Sequence, residues 1–345
     1  LRIRTDPEEL AFIGPELYIY FPNGMEPPEL GLRLRLDIPN MRLGITYLYA
    51  ISRYGYPHTV DEALRSLAEV RKLGFRFLEM EGLGAPFLRR LYRRRKELIQ
   101  AADDAGVHVH NLCVVDPNMV SLDPARRARA LDRFQMGAEL ADMLGAETLH
   151  LASYAPPVRY MNLRPYQLGA KGGYKFAGEI RVRIPRGFLW DRVWAVLVDS
   201  CRHCASAAAR HGKTVLMEPR VGETICSVDS MLRLIKDVDQ PNFKANFDTA
   251  NFCAQRENVV LALAKLEGRF ANIHIADNNP VSTEHLPIGN GVIEWKEFFR
   301  VLKGMKYEGY LGLDLGLRPS LADDLRRSAE CILRVAGELK LRVEV

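Results

Sequence analysis

From Met41 onward, short apolar and β-branched runs alternate with longer amphipathic ones, the pattern of helices covering a parallel sheet. The apolar runs predict strands at 42–47 (RLGITY), 75–80 (FRFLEM), 107–114 (VHVHNLCV), 148–153 (TLHLAS), 214–219 (TVLMEP), 243–248 (FKANFD), 271–276 (ANIHIA) and 310–315 (YLGLDL). Between and after them, helical periodicity predicts helices at about 60–73, 86–105, 123–144, 191–210, 226–237, 255–266, 293–304 and 320–337. Several ends are chemically legible. Thr59 with Glu62 forms a capping box, Asp123 before Pro124 supplies a cap and a first-turn proline, and Gly106, Gly145 and Gly212 follow three helices where a left-handed residue closes the last turn.

Eight strand and helix units in about 300 residues predict a (β/α)8 TIM barrel, an α/β fold whose active site forms where the strands' C-terminal ends meet the following loops. An open doubly wound sheet is the competing architecture, but the first strand–helix turn has no GxGxxG fingerprint. Residues 41–345 are therefore read as a single TIM-barrel catalytic domain. Residues 1–40 precede it as an N-terminal extension: an arm, a cover for the barrel floor, or sequence left over from expression. Residues 154–190 lengthen the fourth strand–helix connection and carry Tyr154, Tyr160, Tyr166, Tyr174 and Trp190; a loop of this length predicts a lid or a subunit interface.

Composition narrows the classes. The chain has 345 residues, 48% of them hydrophobic, enough for a sizeable core, and a formal net charge of +5, which suits anionic small molecules without calling for nucleic acid. The densest basic run, Arg89 to Lys96, falls in a helical pattern with Leu88, Leu91 and Leu98 and reads as a solvated helix face. Six scattered cysteines predict a reduced, cytoplasmic protein rather than a disulfide scaffold, and the lone Cys201-x-x-Cys204 reads as packing. No run approaches the roughly 18–20 apolar residues of a membrane span.

The candidate chemistry collects at one end of the strands. Glu218 ends the fifth predicted strand, Asp248 the sixth, Asp314 lies near the end of the eighth, and His274 sits on the seventh. A barrel brings such positions to one rim, and three carboxylates with one imidazole suit a single divalent metal: manganese before cobalt, magnesium or zinc. Glu79, His110, Arg220, Asn251, His285 and Tyr47 are candidate substrate contacts, with Asn246 and Tyr49 close by and His150 a candidate base. Asp277 is a candidate partner that orients His274. Gly289 and Gly291 permit the tight turn that returns the chain to the next helix.

VLMEP, NFDTAN, NIHIADN, HLPIGNGVIEW and GYLGLDL together resemble the sugar phosphate isomerase and epimerase family with the xylose-isomerase-like barrel, over about residues 41–337. The resemblance implies that Glu218, Asp248, His274 and Asp314 bind the metal and that Glu218 transfers the proton. Family epimerases carry glutamate at the last position. Asp314 is one methylene shorter, which brings His150 and His110 into consideration for proton transfer and keeps Asp314 as ligand and candidate catalytic group. Asn251 stands where a histidine is common, and Thr283 where a nuclease relative has aspartate, so the three-zinc nuclease arrangement is poorly supplied. The resemblance implies a divalent-metal-dependent sugar isomerase or epimerase that abstracts a proton alpha to a carbonyl through an enediolate. The alternative is a metal-dependent carbon–oxygen or carbon–carbon lyase, an inosose-type dehydratase or a 3-keto C-glycoside deglycosidase alpha subunit. It also implies a homo-oligomer, or a second subunit in the deglycosidase case, with no nucleic acid or membrane partner.

Overall fold

The computed structural model describes residues 9–13, 16–20, 34–35, 40–162, 180–280, 282–316 and 319–345. Leu1–Pro39 and Asn40–Val345 are two separate compact units. In the first, Glu9–Ile13, Glu16–Tyr20 and Leu34–Arg35 pair into a small antiparallel sheet.

The second unit is a closed barrel of eight parallel strands: β1 (Asn40–Ile45), β2 (Phe77–Glu81), β3 (His108–Cys113), β4 (Thr148–Ala152), β5 (Thr214–Glu218), β6 (Phe243–Asp248), β7 (Phe270–Ile275) and β8 (Tyr310–Leu313). Each strand pairs with its neighbour in sequence, and β8 pairs with β1 to close the ring. A strand missed by the sequence pattern, Arg342–Glu344, adds to the start of β1.

Alternation along each strand sorts side chains into two layers. Leu78, Met80, Phe247, Ile273 and Ile275 belong to the apolar core shared with the helices, whereas Glu79, Asn246, Asp248, Asn272 and His274 hydrogen-bond or pair with one another inside the ring. Outside it, Phe247 packs against Phe252 and Phe298 with ring centroids 4.8 and 6.0 Å apart. At the closing seam Gly312 lies opposite Gly44. A Cβ on Gly44 would stand 2.6 Å from the Phe77 carbonyl oxygen, and one on Gly312 would stand 2.8 Å from Thr46 Cγ2, so both positions require glycine.

The predicted caps form. Thr59 and Glu62 close the box over Val60–Lys72, Asp123 accepts from Ala125 and Arg126 at the start of Pro124–Met143, and Gly106 ends Arg95–Ala105 in the left-handed region at φ 62°. Two predicted helices are corrected. The run 86–105 breaks into Ala85–Arg93 and Arg95–Ala105, because Arg94 leaves helical geometry while its guanidinium grips Glu97 and Asp61. The run 255–266 shortens to Val259–Lys265, capped by Asn258, and an unpredicted helix, Thr249–Ala254, capped by Asp248, precedes it. A short helix at Leu48–Tyr54, directly after β1, was not anticipated.

Of the long connection after β4, Arg159–Tyr160 pairs with Val182–Arg183 as a small hairpin; residues 163–179, with Tyr166 and Tyr174, lie outside the described residues. Met161, Val182, Ile184 and Leu189 are exposed around it. Tyr154 is fixed, its carbonyl accepting from the Thr224 backbone and hydroxyl. Cys201 and Cys204 are buried and unpaired in Trp190–Ala209, as the packing reading has it. Among the described residues, no helix is long and apolar enough to cross a membrane.

Candidate metal centre

The strand ends deliver their polar residues to one place. Asp248 and His274 are register partners on β6 and β7, and Glu218 ends β5 beside them. Donor atoms of Glu218, Asp248 and His274 all lie within 4.8 Å of one another, and so do those of Asp248, His285 and Asp314. Asp248 belongs to both sets. The four ligand candidates are thus gathered at the mouth, and His285 joins them from the loop after β7.

Hydrogen bonds fix the direction of each group. Asp248 splits its carboxylate: Oδ1 caps Thr249–Ala254 by accepting from Asn251 N at 2.7 Å, and Oδ2 is buried with no hydrogen-bond partner. Asp314 Oδ1 accepts from the Thr46 hydroxyl at 2.5 Å, while His285 Nδ1 lies 2.9 Å from Oδ2 and hydrogen-bonds the Asp314 carbonyl oxygen at 2.9 Å. Glu218 Oε1 accepts from Asn246 at 3.1 Å, while Oε2 lies 3.6 Å from His150 Nε2 and 3.7 Å from Arg220 Nε.

His274 is held between two carboxylates. Nε2 is 2.9 Å from Glu79 Oε2 and Nδ1 is 2.8 Å from Glu218 Oε1. The second approach lies off the direction a hydrogen bond needs, which leaves Nδ1 without a hydrogen-bond partner despite the short distance. An ionised carboxylate only accepts, so Nε2 carries a hydrogen; burial works to lower the His274 imidazole, but Glu79 and Glu218 raise it well above its ordinary range, so a cation held at Nδ1 would displace the second ring proton.

The electrostatics follow from burial. Desolvation pushes the Asp248 carboxyl up to about 7, with His285 opposing and Glu218 adding to the rise. Burial also works to raise Glu218, but the neighbouring His150 and His274 imidazoles bring it well below the ordinary carboxylate range. Burial would lower His285, yet Asp248 and Asp314 bring it up to about 9. For His110, burial prevails and pushes the imidazole down to about 4.

This donor set fits a divalent cation. Glu218 Oε1, Asp248 Oδ2 and His274 Nδ1 converge in a water-poor site, and two of the three have no hydrogen-bond partner. Buried acceptors in that arrangement need a cation. Oxygen and imidazole donors admit Mn, Co, Mg or Zn.

Other predicted residues take definite places. Tyr47 walls the cluster, its ring 5.7 Å from His150 and 6.2 Å from His274. His150 is buried and neither ring nitrogen has a hydrogen-bond partner. Asn251 is buried on the first turn after Asp248, and Arg220 is partly exposed beside Glu218. Glu79, expected to meet substrate, gives its oxygens to Asn272 and His274. His110 stacks on Tyr310 at 3.9 Å, 4.0 Å from Glu79 Oε1. Tyr49 is not at the site; its hydroxyl donates to Glu69.

One expectation is corrected outright. Asp277 does not orient His274: its carboxylate accepts from the backbone of Asn278, Gly289 and Ile293 and from Trp295 Nε1, tying down the loop after β7. The partner of His274 is Glu79, on the opposite arc of the ring. Thr46 and Asn272 were also missed. Asn272 had a signal, since it lies two residues before His274 and shares its face.

A model of the xylose isomerase-like TIM barrel matches residues 67–335. L-ribulose-5-phosphate 3-epimerase UlaE of Salmonella paratyphi A is 24% identical over 253 residues, covering 71% of this chain and 79% of its own. The apo structure of 3-keto-D-glucoside 4-epimerase YcjR from E. coli matches with a TM-score of 0.65 at 19% identity, covering 85% of this chain and 99% of that one. D-psicose 3-epimerase from Clostridium cellulolyticum H10, solved with D-tagatose, matches with a TM-score of 0.66 at 18% identity, over 87% and 100% of the two chains. At these identities the structural likeness speaks for the fold.

Proposed function

Since this chain belongs to the xylose isomerase-like TIM-barrel family, we propose that it is a divalent-metal-dependent enzyme that isomerises or epimerises a sugar by moving a proton alpha to a carbonyl. The observation that carries this reading is the convergence of Glu218 Oε1, Asp248 Oδ2 and His274 Nδ1 in a buried site. Glu218, Asp248, His274 and Asp314 are the ligands, and the mixed oxygen and nitrogen donors support manganese. The cation would polarise neighbouring hydroxyl and carbonyl oxygens of the sugar and lower the energy of an enediolate.

Glu218 removes the proton. Its carboxylate is kept ionised at neutral pH by His150 and His274, and Oε2 faces His150, which steadies the carboxylate as its charge changes. On the other face Asp314, positioned by Thr46 and His285, passes the His285 proton to the carbon for epimerisation, and Glu218 releases the proton it took to solvent, from which His285 is reprotonated. Return to the neighbouring carbon gives isomerisation. Tyr47, Arg220 and Asn251 contact the sugar's remaining carbon face and hydroxyls.

A second reading is favoured by one observation: the imidazole beside the Asp314 carboxylate is a partly buried acid raised to about 9. That pair supports elimination, in which Glu218 takes the alpha proton, the electrons form a carbon–carbon double bond, and His285 protonates the departing group. The family's likeness to sugar epimerases supports the first reading. The exposed apolar hairpin after β4 supports a contact between copies of the chain, which sedimentation of the hairpin variant Ile184→Asp tests.

Ketohexoses incubated with manganese-loaded protein in deuterated water decide between the readings. Deuterium on carbon with epimer formed supports the first; release of an aglycone from a 3-keto C-glycoside without exchange supports the second. Neither exchange nor elimination with a fully metallated site would sink both.

A further inference from the structure

The buried polar groups beneath the mouth form a hydrogen-bonded chain whose two ends come together. Glu79 receives His274 Nε2–H at 2.9 Å and Asn272 Nδ2 at 2.8 Å. Asn272 also donates to Asn246 Oδ1 at 2.7 Å, and Asn246 donates to Glu218 Oε1 at 3.1 Å. His274 Nδ1 lies 2.8 Å from the same Glu218 oxygen without hydrogen-bonding it. All five residues are nearly fully buried, and they come from β2, β5, β6 and β7.

The donor pattern has only one sense. Both carboxylates accept, so each amide must present its NH2 as found and the imidazole must present Nε2–H to Glu79. Reversing any amide would leave a carboxylate without a donor in a dry interior.

We infer that Glu79 is a positioning residue: it fixes the ring plane and tautomer of His274 so that Nδ1 points at the divalent cation with its lone pair exposed. The inference rests on the metal reading above. Glu79 does not touch the sugar. Its negative charge also makes the imidazole a stronger donor, as carboxylates behind metal-bound histidines do. Asn272 holds the other Glu79 oxygen, so both oxygens of Glu79 are engaged. A space-filling side chain at Gly312 would meet this arrangement, since a Cβ there would lie 3.5 Å from both Glu79 Oε1 and His274 Cδ2.

The probe is cadmium-113, added to apo protein with 15N-labelled histidine. Coupling of cadmium to His274 Nδ1, with Nε2 protonated, is expected in the wild type. Glu79→Leu, which removes both charge and acceptor, should weaken cadmium and manganese binding about 100-fold, and Glu79→Gln, whose amide oxygen still accepts, about 10-fold. A purely structural role would lower the melting temperature in EDTA without this graded loss; here the loss appears as a smaller metal-induced rise in melting temperature. Coupling at Nε2, or variants that bind within threefold of wild type, overturns the inference and leaves the metal reading intact. If the wild type binds no divalent metal while remaining folded, the reading falls and the inference with it. Should the variants fail to fold, the labelled wild-type spectrum decides alone.

Discussion

The two ends of the barrel hold similar residues in opposite states. At the floor, where the strands begin, His108 Nε2 lies 3.1 Å from Glu147, Tyr310 donates to Glu147 at 2.8 Å, Arg42 lies 5.1 Å from the centre of the Tyr310 ring, and Arg76 pairs with Glu344. His108 and Glu147 are 36% and 49% exposed, and each charge has its partner. A cavity of about 420 Å³ opens there, lined by Phe77, Val107 and Leu144 among others. At the mouth the acids are buried and crowded, and Asp248 Oδ2 has no hydrogen-bond partner. Paired, solvated charge contributes little and demands nothing. Buried charge without compensation is costly, and a protein that keeps it has a ligand to hold there.

That contrast can be broken by experiment. The largest effect is expected from Glu218→Gln, which removes a ligand and the base together: exchange of substrate hydrogen with solvent should fall by at least about 10³-fold, with metal content falling alongside. Full metal content with full exchange would place the chemistry elsewhere.

Next comes the metal-free protein's response to pH. Asp248 titrates near 7 when folded and near 4 when unfolded, so the folded chain holds the extra proton between those values. Its contribution to stability is therefore complete below about 4 and is lost as pH rises towards 7, an effect of a few kcal/mol. The melting temperature in EDTA should drop over this window, and Asp248→Asn should flatten the slope. A flat wild-type curve would mean that Asp248 is compensated without a cation.

Thr46→Val removes the hydroxyl that orients Asp314; about 1.5–3 kcal/mol is expected for a bond to a charged group. The signature is a lower kcat with KM little changed, read by steady-state kinetics. Smallest of all is Glu147→Gln at the floor, expected to shift chemical denaturation by less than about 1 kcal/mol and to leave metal binding alone. Loss of metal in that variant would erase the distinction between the two ends.

Much of the barrel was legible because parallel strands buried on both faces read as continuous apolar runs, and eight such runs leave few architectures. Boundaries came within a residue or two where a cap was written in the chain, as at Thr59 and Asp123. They failed at Arg94, whose guanidinium is shared between nearby Glu97 and Asp61 on another helix, and after Asp248, whose carboxylate starts a helix earlier than periodicity suggests. Among site candidates, polar residues at strand ends were visible because a charge closing an apolar run is conspicuous. Glu79 was visible, but its partner was not. Which side chain meets His274 depends on the shear of the closed ring, and nothing local distinguishes Asp277, three residues along, from Glu79 across the barrel. Thr46 carries no charge and stood out for nothing until β8 was set beside β1.

The bond from Thr46 to Asp314 joins residues 268 positions apart, across the seam where Gly44 faces Gly312. During synthesis, seven strands can emerge while the last carboxylate is still unmade. A nascent chain lacking β8 has no Asp314, no clasp on Thr46 and an open edge on β1. The ring and this bond are therefore completed only when the final strand has been made, and Asp314 is the last of the clustered acids to join the others.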